Sequence, residues 1–346
     1  MRNIETAWRS PSNIALIKYW GKYEPQLPAN PSLSFTLKEC FTETSCTING
    51  EGVKGDLALF LNGERHSDFE PKIRQFIERL GSEASFLNEI YLRIDTRNSF
   101  PHSSGIASSA SGMSALALCL LELKMKLESI HPPDFKREAS RWARLGSGSA
   151  SRSVYGGLVL WGETEALPQS HDEFAVPYSL DLNPVFEDFC DYILLVEKGQ
   201  KSVSSSAGHG LMNGHPFAEA RFAQAHNNLE KLNEALASGD LETFGEITER
   251  EALTLHALMM SSQPSYLLMK PNTLAVIEKI RLQRKKADWP MYFTLDAGAN
   301  VHLLFPASFE QEVNKWVRTV ISGFLKHGEY ICDRVGPGPE NLRDEG

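Results

Sequence analysis

The sequence predicts an α+β fold in two domains. Strand-like and helix-like segments are mixed along the chain without a regular βαβ rhythm, which disfavours a doubly wound sheet. With 346 residues, the chain is long enough for two domains of ordinary size. A polar stretch at 165–180, carrying Pro168 and Pro177, is the natural boundary and divides the chain into 1–180 and 181–346.

The elements follow in order. NIALIKYWG (13–21) reads as a buried strand running into a loop, and SLSFTL (32–37), ETSCTI (43–48) and LALFLNG (57–63) alternate as strands do. After Pro71, Ile73, Phe76, Ile77 and Leu80 share one helical face. IYLRIDT (90–96) is a strand, 110–127 is the longest apolar helix candidate, and 134–145 is a second helix stopping at Gly146. SVYGGLVLW (153–161) and DYILLVE (191–197) read as strands. KSVSSSAGHGLM (201–212) is a loop, followed by helices over about 215–237, 240–259 and 272–286. PMYFTLDAGANVHLLFP (290–306) reads as strand, tight loop, strand, and 309–324 as a final helix.

Bulk properties narrow the function. Hydrophobic residues make up 42% and charged residues 23%, as in an ordinary globular protein. A net charge of −9 argues against broad attraction to nucleic acid or anionic lipid. The five cysteines are odd in number and contain no CxxC pair, so neither a disulfide framework nor a zinc site is indicated. The start carries no apolar leader core, and no apolar run reaches the ~18 residues of a membrane span. The expectation is a cytoplasmic protein acting on a small molecule, with no metal site of its own.

Several stretches can carry chemistry. PHSSGIASSASG (101–112) lies between a strand and the long apolar helix, where free N–H groups and the helix dipole favour an anion. Its other reading is a serine-rich cap followed by close helix packing. LGSGSASRSVYGG (145–157) sets Arg152 among serines, a fork for phosphate or carboxylate or else a surface arginine. A third Ser/Gly loop at 201–210 suggests more than one phosphate. IKYWGKY (17–23) puts Lys18, Tyr19 and Lys22 around Trp20 and Gly21, either an anion site or lysines snorkelling about a packed ring. Asp296 in FTLDAGANVHLLF is either a general base or a turn cap.

Together these stretches resemble one family. Pro101 to Ala110 is similar to the PxxxGxxSSA phosphate loop of the GHMP small-molecule kinases. SPSNIALIKYWGKYEPQLPANPSLSFTL, NSFPHSSGIASSASG, GSGSASRSVYGGLVLW, VSSSAGHG, TLDAGANVHLL and the tail RVGPGP occur in the order seen in the diphosphomevalonate decarboxylase branch. The resemblance spans about 8–340 and implies a GHMP kinase fold. That fold has a ribosomal-protein-like N-terminal domain, a ferredoxin-like C-terminal domain, a cleft between them and usually a homodimer. It implies ATP with Mg2+ and a phosphorylated mevalonate whose 3-hydroxyl is phosphorylated before phosphate and carbon dioxide leave. Lys18, Arg152 and Asp296 match catalytic positions. Tyr19, Trp20, Gly21, Lys22, Lys72, Ser147, Gly148, Ser149, Ala150, Ser151, Ser205 and Ser206 match positions around the substrate. Ser103, Ser104, Gly105, Ala107, Ser108 and Ser109 match the ATP phosphate loop.

The chain departs from the family pattern at Pro31, at His102 to Ser104, at Ser151, at His209 (often methionine) and at Ala299. The rival readings are a decarboxylase of the 5-monophosphate, a kinase that stops at the 3-phosphate, and a non-catalytic nucleotide-binding relative.

Overall fold

A computed structural model describes residues 4–48, 52–101, 106, 108–198 and 205–343. Fourteen strands and eight α-helices are seen among them. The N-terminal half is a mixed sheet backed by helices. Its strands are β1 (Ile4–Ala15), β4 (Ser32–Ile48), β5 (Leu57–Leu61), β6 (Glu64–Arg65), β7 (Leu92–Asn98), β8 (Leu158–Trp161) and β9 (Ala175–Pro177). The order runs β1-β4-β7-β5-β6, with β8 and then β9 extending from the first part of β4. Among the described residues, only β5–β7 pairs in parallel. The short hairpin β2 (Lys22–Tyr23) and β3 (Leu27–Pro28) stands apart.

β1 begins nine residues before the expected 13–21 segment, because its inward face is polar and does not read as a core strand. Thr6 donates to the Cys119 carbonyl, Ser10 to Ser114 and Ser12 to the Ile106 carbonyl. Those partners lie on or beside α2 (Ser108–Glu128), the long apolar helix, which packs against the sheet with α1 (Glu70–Leu80) and α3 (Phe135–Gly146). Asp134 caps α3 by accepting from the Arg137 N–H.

The two expected strands at 32–37 and 43–48 are one strand. The ladder with β1 slips from Pro11↔Phe41 to Asn13↔Thr36, leaving 37–40 as a bulge. The Asp333 carboxylate spans that bulge, accepting the Lys38, Glu39 and Cys40 N–H groups at 2.9 Å each.

The C-terminal half is a four-stranded antiparallel sheet, β11 (Tyr292–Thr294), β12 (Val301–Pro306), β10 (Phe189–Leu194) and β13 (Tyr330–Arg334), in that order. One face, with Cys190, Tyr192, Leu303 and Phe305, packs on α7 (Pro271–Ala287) and α8 (Glu310–Trp316). The other, with Phe189, Ile193 and Leu304, packs on α5 (Ala218–Ser238) and α6 (Leu241–Ser261) together with Ile14, Leu33, Phe35 and Leu160 of the first half. β14 (Glu340–Asn341) returns to pair with β1. Three expectations shift. Gly148–Val154 is a 3-10 turn, so β8 starts at Leu158; α4 (Ser205–Gly210) stands where a loop was expected; and the last helix passes into a π turn at Val317–Ile321. The π turn keeps Val313, Val317 and Ile321 buried.

Candidate active site

The loop that leaves β1 runs between the two halves and carries Lys18 to Lys22. Its path is fixed by backbone bonds from Leu16 and Ile17 to the Leu33 carbonyl and by Ser32 donating to the Ile17 carbonyl. Lys18 is 2% exposed. Its Nζ donates to the Ala15 carbonyl at 2.6 Å and lies 3.6 Å from Asp296 Oδ1, in the loop after β11. Burial lowers the lysine pKa, and the neighbouring carboxylates of Asp296 and Glu251 oppose that shift. Asp296 is 26% exposed, so the pair opens to solvent on the carboxylate side.

Arg152 enters the same space from the 3-10 turn. It is 2% exposed, with Nη1 donating to Ser32 Oγ at 2.5 Å and Nε and Nη2 to Asn13 Oδ1 at 3.3 and 3.2 Å. Burial pushes it down to about 10, with Asp296 pulling the other way. Both catalytic candidates are therefore buried, and the Asp296 carboxylate favours the charged form of each. Among the described residues the hydrogen-bond partners of Arg152, Asn13 and Ser32, are neutral, which suits an arginine kept for an incoming carboxylate.

Tyr19 adds an orphan. Its hydroxyl is buried without a hydrogen-bond partner among the described residues. Its ring meets Trp161 edge-on at 4.7 Å and His209 at 4.1 Å. A Cβ on Gly148 would lie 2.8 Å from that hydroxyl, so glycine leaves the space open. A partnerless buried phenol is what a bound polar ligand would satisfy. Trp20 sits in a small core with Met212, Leu255 and Met259. Gly21 adopts φ +100° and donates its N–H to His209 Nδ1 at 3.1 Å. Lys22 Nζ bonds Gln26 at 2.7 Å and pairs with Glu24 at 3.3 Å.

Ser147 and Ser149 face each other at 3.5 Å between their hydroxyls. Ala150 and Ser151 are fully buried, and Ser151 donates to the Gly148 carbonyl, so these two shape the turn. Lys72 lies elsewhere, lining a cavity with Ser108, Ser109, Thr42, Thr44 and Asn98 over an apolar floor of Leu59, Ile73, Met113 and Leu116. Open space beside Gly112 leaves the first turn of α2 approachable from that cavity. A polar rim at a helix start above an apolar slot suits a nucleotide. Ser103, Ser104, Gly105 and Ala107 lie outside the described residues, as do the side chains of Ser205 and Ser206.

The sequence reading missed the residues that hold this machinery. Asn13 and Ser32 bracket Arg152. His256 Nε2 donates to the Asp296 carbonyl at 3.1 Å. Arg221 and Glu251 form a buried pair beneath Lys18. Their only signal is a charged or polar residue on an apolar face, which is weak without the fold.

Two halves that bring a lysine, a carboxylate and an arginine together at one opening define an enzyme of the GHMP kinase fold. Residues 10–175 match the diphosphomevalonate decarboxylase-like N-terminal domain, and 192–340 the mevalonate 5-diphosphate decarboxylase C-terminal domain. The diphosphomevalonate decarboxylase of Saccharomyces cerevisiae is 31% identical, covering 88% of this chain and 78% of its own. Mevalonate diphosphate decarboxylase from Staphylococcus aureus superposes with a TM-score of 0.84 at 30% identity, over 99% of each chain. A complex of MDDEF with MVAPP, AMPPCP and magnesium gives 0.84 at 29%, again over 99% of each. The chain belongs to the diphosphomevalonate decarboxylase family. Among the described residues, no helix is long and apolar enough to cross a membrane.

Proposed function

We propose that the chain catalyses ATP-dependent decarboxylation of (R)-5-diphosphomevalonate to isopentenyl diphosphate, carbon dioxide, ADP and phosphate. The observation that carries this is the Lys18–Asp296 pair, held at 3.6 Å beside the buried Arg152. Asp296 receives or orients the proton of the tertiary 3-hydroxyl. A tertiary alcohol is a very weak acid, so holding it in line matters as much as removing the proton. Lys18 holds Asp296 in place and offsets charge that develops at the oxygen. Arg152 fixes the substrate carboxylate as an anion, so that the electrons of the breaking C–C bond flow towards C3 as phosphate departs. Tyr19 supplies its unpartnered hydroxyl to the substrate, with Lys22, Ser147 and Ser149 around the anionic tail. Trp20, Gly21, Gly148, Ala150 and Ser151 shape the walls, and Ser205 and Ser206 belong to the same group.

Lys72, Ser108 and Ser109 hold the nucleotide, continuing the loop of Ser103, Ser104, Gly105 and Ala107. No cluster of three His, Cys, Asp or Glu side chains suited to a metal occurs among the described residues. In this reading Mg2+ arrives with the nucleotide, whose phosphates would supply its ligands. We assign residues 1–180 and 181–346 to the two domains, and a cytoplasmic homodimer to the whole. The free, unpaired cysteines support a reducing compartment.

ADP and carbon dioxide release, measured with mevalonate, its 5-phosphate and its 5-diphosphate, tests the reading. Stoichiometric release of both with the 5-diphosphate is expected. Preference for the 5-phosphate, or ADP without carbon dioxide, would overturn it.

A further inference from the structure

Beneath the site, α5 and α6 carry an ion pair that the reaction as described does not use. Arg221 and Glu251 are 1% and 0% exposed and joined by two bonds, Nη1–Oε1 at 2.7 Å and Nη2–Oε2 at 2.6 Å. Asn228 donates to the same Oε1 at 2.6 Å. A buried pair of this kind is poor support for stability as such, because apolar replacements often serve as well. What distinguishes this one is where its remaining bonds go. Glu251 Oε2 accepts the Lys18 backbone N–H at 2.8 Å, and Arg221 Nη2 donates to the Lys18 carbonyl at 2.9 Å. Both backbone groups of one residue in the N-terminal half are gripped by side chains of the C-terminal half. Asn30 adds a second donor to that carbonyl at 3.0 Å.

The other end of the catalytic pair is tied to the same helix. His256, five residues after Glu251 on α6, donates to the Asp296 carbonyl. One helix thus references Lys18 and Asp296, although they come from different halves of the chain.

We propose that Glu251 and Arg221 are positioning residues that clamp the Lys18 backbone and thereby set the Lys18–Asp296 geometry on which phosphoryl transfer depends. The proposal rests on the role given to Lys18 above. Four charges bear on the Lys18 ammonium. Asp296 faces it from the loop after β11, Glu251 from α6 and Arg152 from the turn before β8, while Arg221 of α5 stands behind Glu251. Removing Glu251's charge leaves Lys18 with less anionic support. Removing Arg221's charge leaves Glu251 to pair with Lys18 instead.

The test compares Glu251→Gln and Arg221→Gln in the full chain. It reads kcat and KM for 5-diphosphomevalonate, and the titration of Lys18 by NMR of 13Cε-labelled lysine, assigned with Lys18→Arg. Expected is a kcat loss of about tenfold or more with KM within about threefold, since misplacing a catalytic group by an ångström costs up to about a hundredfold. Lys18 should titrate at lower pH in Glu251→Gln and at higher pH in Arg221→Gln. A pair serving only stability would leave kcat of the folded variants at the wild-type value. Folded variants with wild-type kcat, or with wild-type Lys18 titration, overturn the clamp. Should either variant fail to fold, Arg221→Lys keeps the charge but loses the fork; a tenfold fall in its kcat supports the clamp, and wild-type kcat overturns it. If the wild-type protein releases no carbon dioxide from 5-diphosphomevalonate, it is the functional reading that fails, and the Lys18 titration still decides the clamp.

Discussion

Burial disfavours the charged form of Lys18, and the Asp296 carboxylate is the foremost group opposing that. Asp296→Asn keeps the shape and removes that support, so it should lose turnover and not affinity. The expected fall in kcat is about 10²–10⁴, with the dissociation constant of 5-diphosphomevalonate, measured by calorimetry, little changed. Near-wild-type turnover in a folded variant would remove Asp296 from the chemistry. Arg152→Gln should act later. ADP release persists while carbon dioxide release drops by about 10²–10³, the scale for losing a preorganised electrostatic contact; equal losses in both products would contradict the carboxylate assignment. His209, which stands where the family often has methionine, gives a residue-scale effect on stability. Burial, with Lys22 and Arg152 nearby, pushes its pKa from 6.5 down to about 3. The unfolded chain binds a proton below 6.5 that the folded chain refuses, so stability falls as pH drops from 6.5 towards 3. Each pH unit in that window costs at most about 1.4 kcal/mol from this group. Urea midpoints recorded from pH 7 to 4 should fall less steeply in His209→Met; parallel curves would refute the assignment.

At the scale of the element, β4 shows what a local pattern can and cannot say. Its two ends alternate as strands do and were legible at 32–37 and 43–48. Its continuity depends on a carboxylate 293 residues from the nearest bulge N–H that it accepts, Cys40, and no local window contains that. Asp333→Asn would keep one acceptor oxygen and turn an NH2 group towards an N–H. The expected loss is about 2–4 kcal/mol, from the bond lost and the buried donor left unpaired; a shift under about 0.5 kcal/mol in denaturant unfolding would show the bulge to be held by other contacts. β1 was half legible for a related reason, since a strand whose inner face is Thr6, Ser10 and Ser12 looks like surface until α2 supplies the partners. The apolar run of α2 and the Ser/Gly turn before β8 were readable because their signals are contiguous. The helix faces bearing Arg221, Glu251 and His256 were not. A buried charge on an amphipathic helix cannot be told from a solvated one until the partner helix is placed.

At the scale of the molecule, the two halves are not separate bodies joined by a hinge of polar chain. One hydrophobic core takes Ile14, Leu33 and Phe35 from the first half and Phe189, Leu229 and Phe244 from the second. Phe244 is fully buried, with ring centroids 5.0 Å from Phe186, 5.2 Å from Phe189, 6.1 Å from Tyr292 and 6.5 Å from Phe35. The chain end tightens the seam, through the Leu37–Val335 bridge and the pairing of β14 with β1. Lys18 and Asp296 sit on opposite sides of this seam, so their spacing depends on the shared core. Phe244→Ala removes a large ring at the centre of that core and should cost about 3–5 kcal/mol. Because the core is common to both halves, calorimetry should show one transition moved to lower temperature. If the wild-type protein melts in two transitions and the substitution moves only the one belonging to residues 181–346, the seam is a docking surface, and the Lys18–Asp296 spacing must then be set by the loop and by α6 alone.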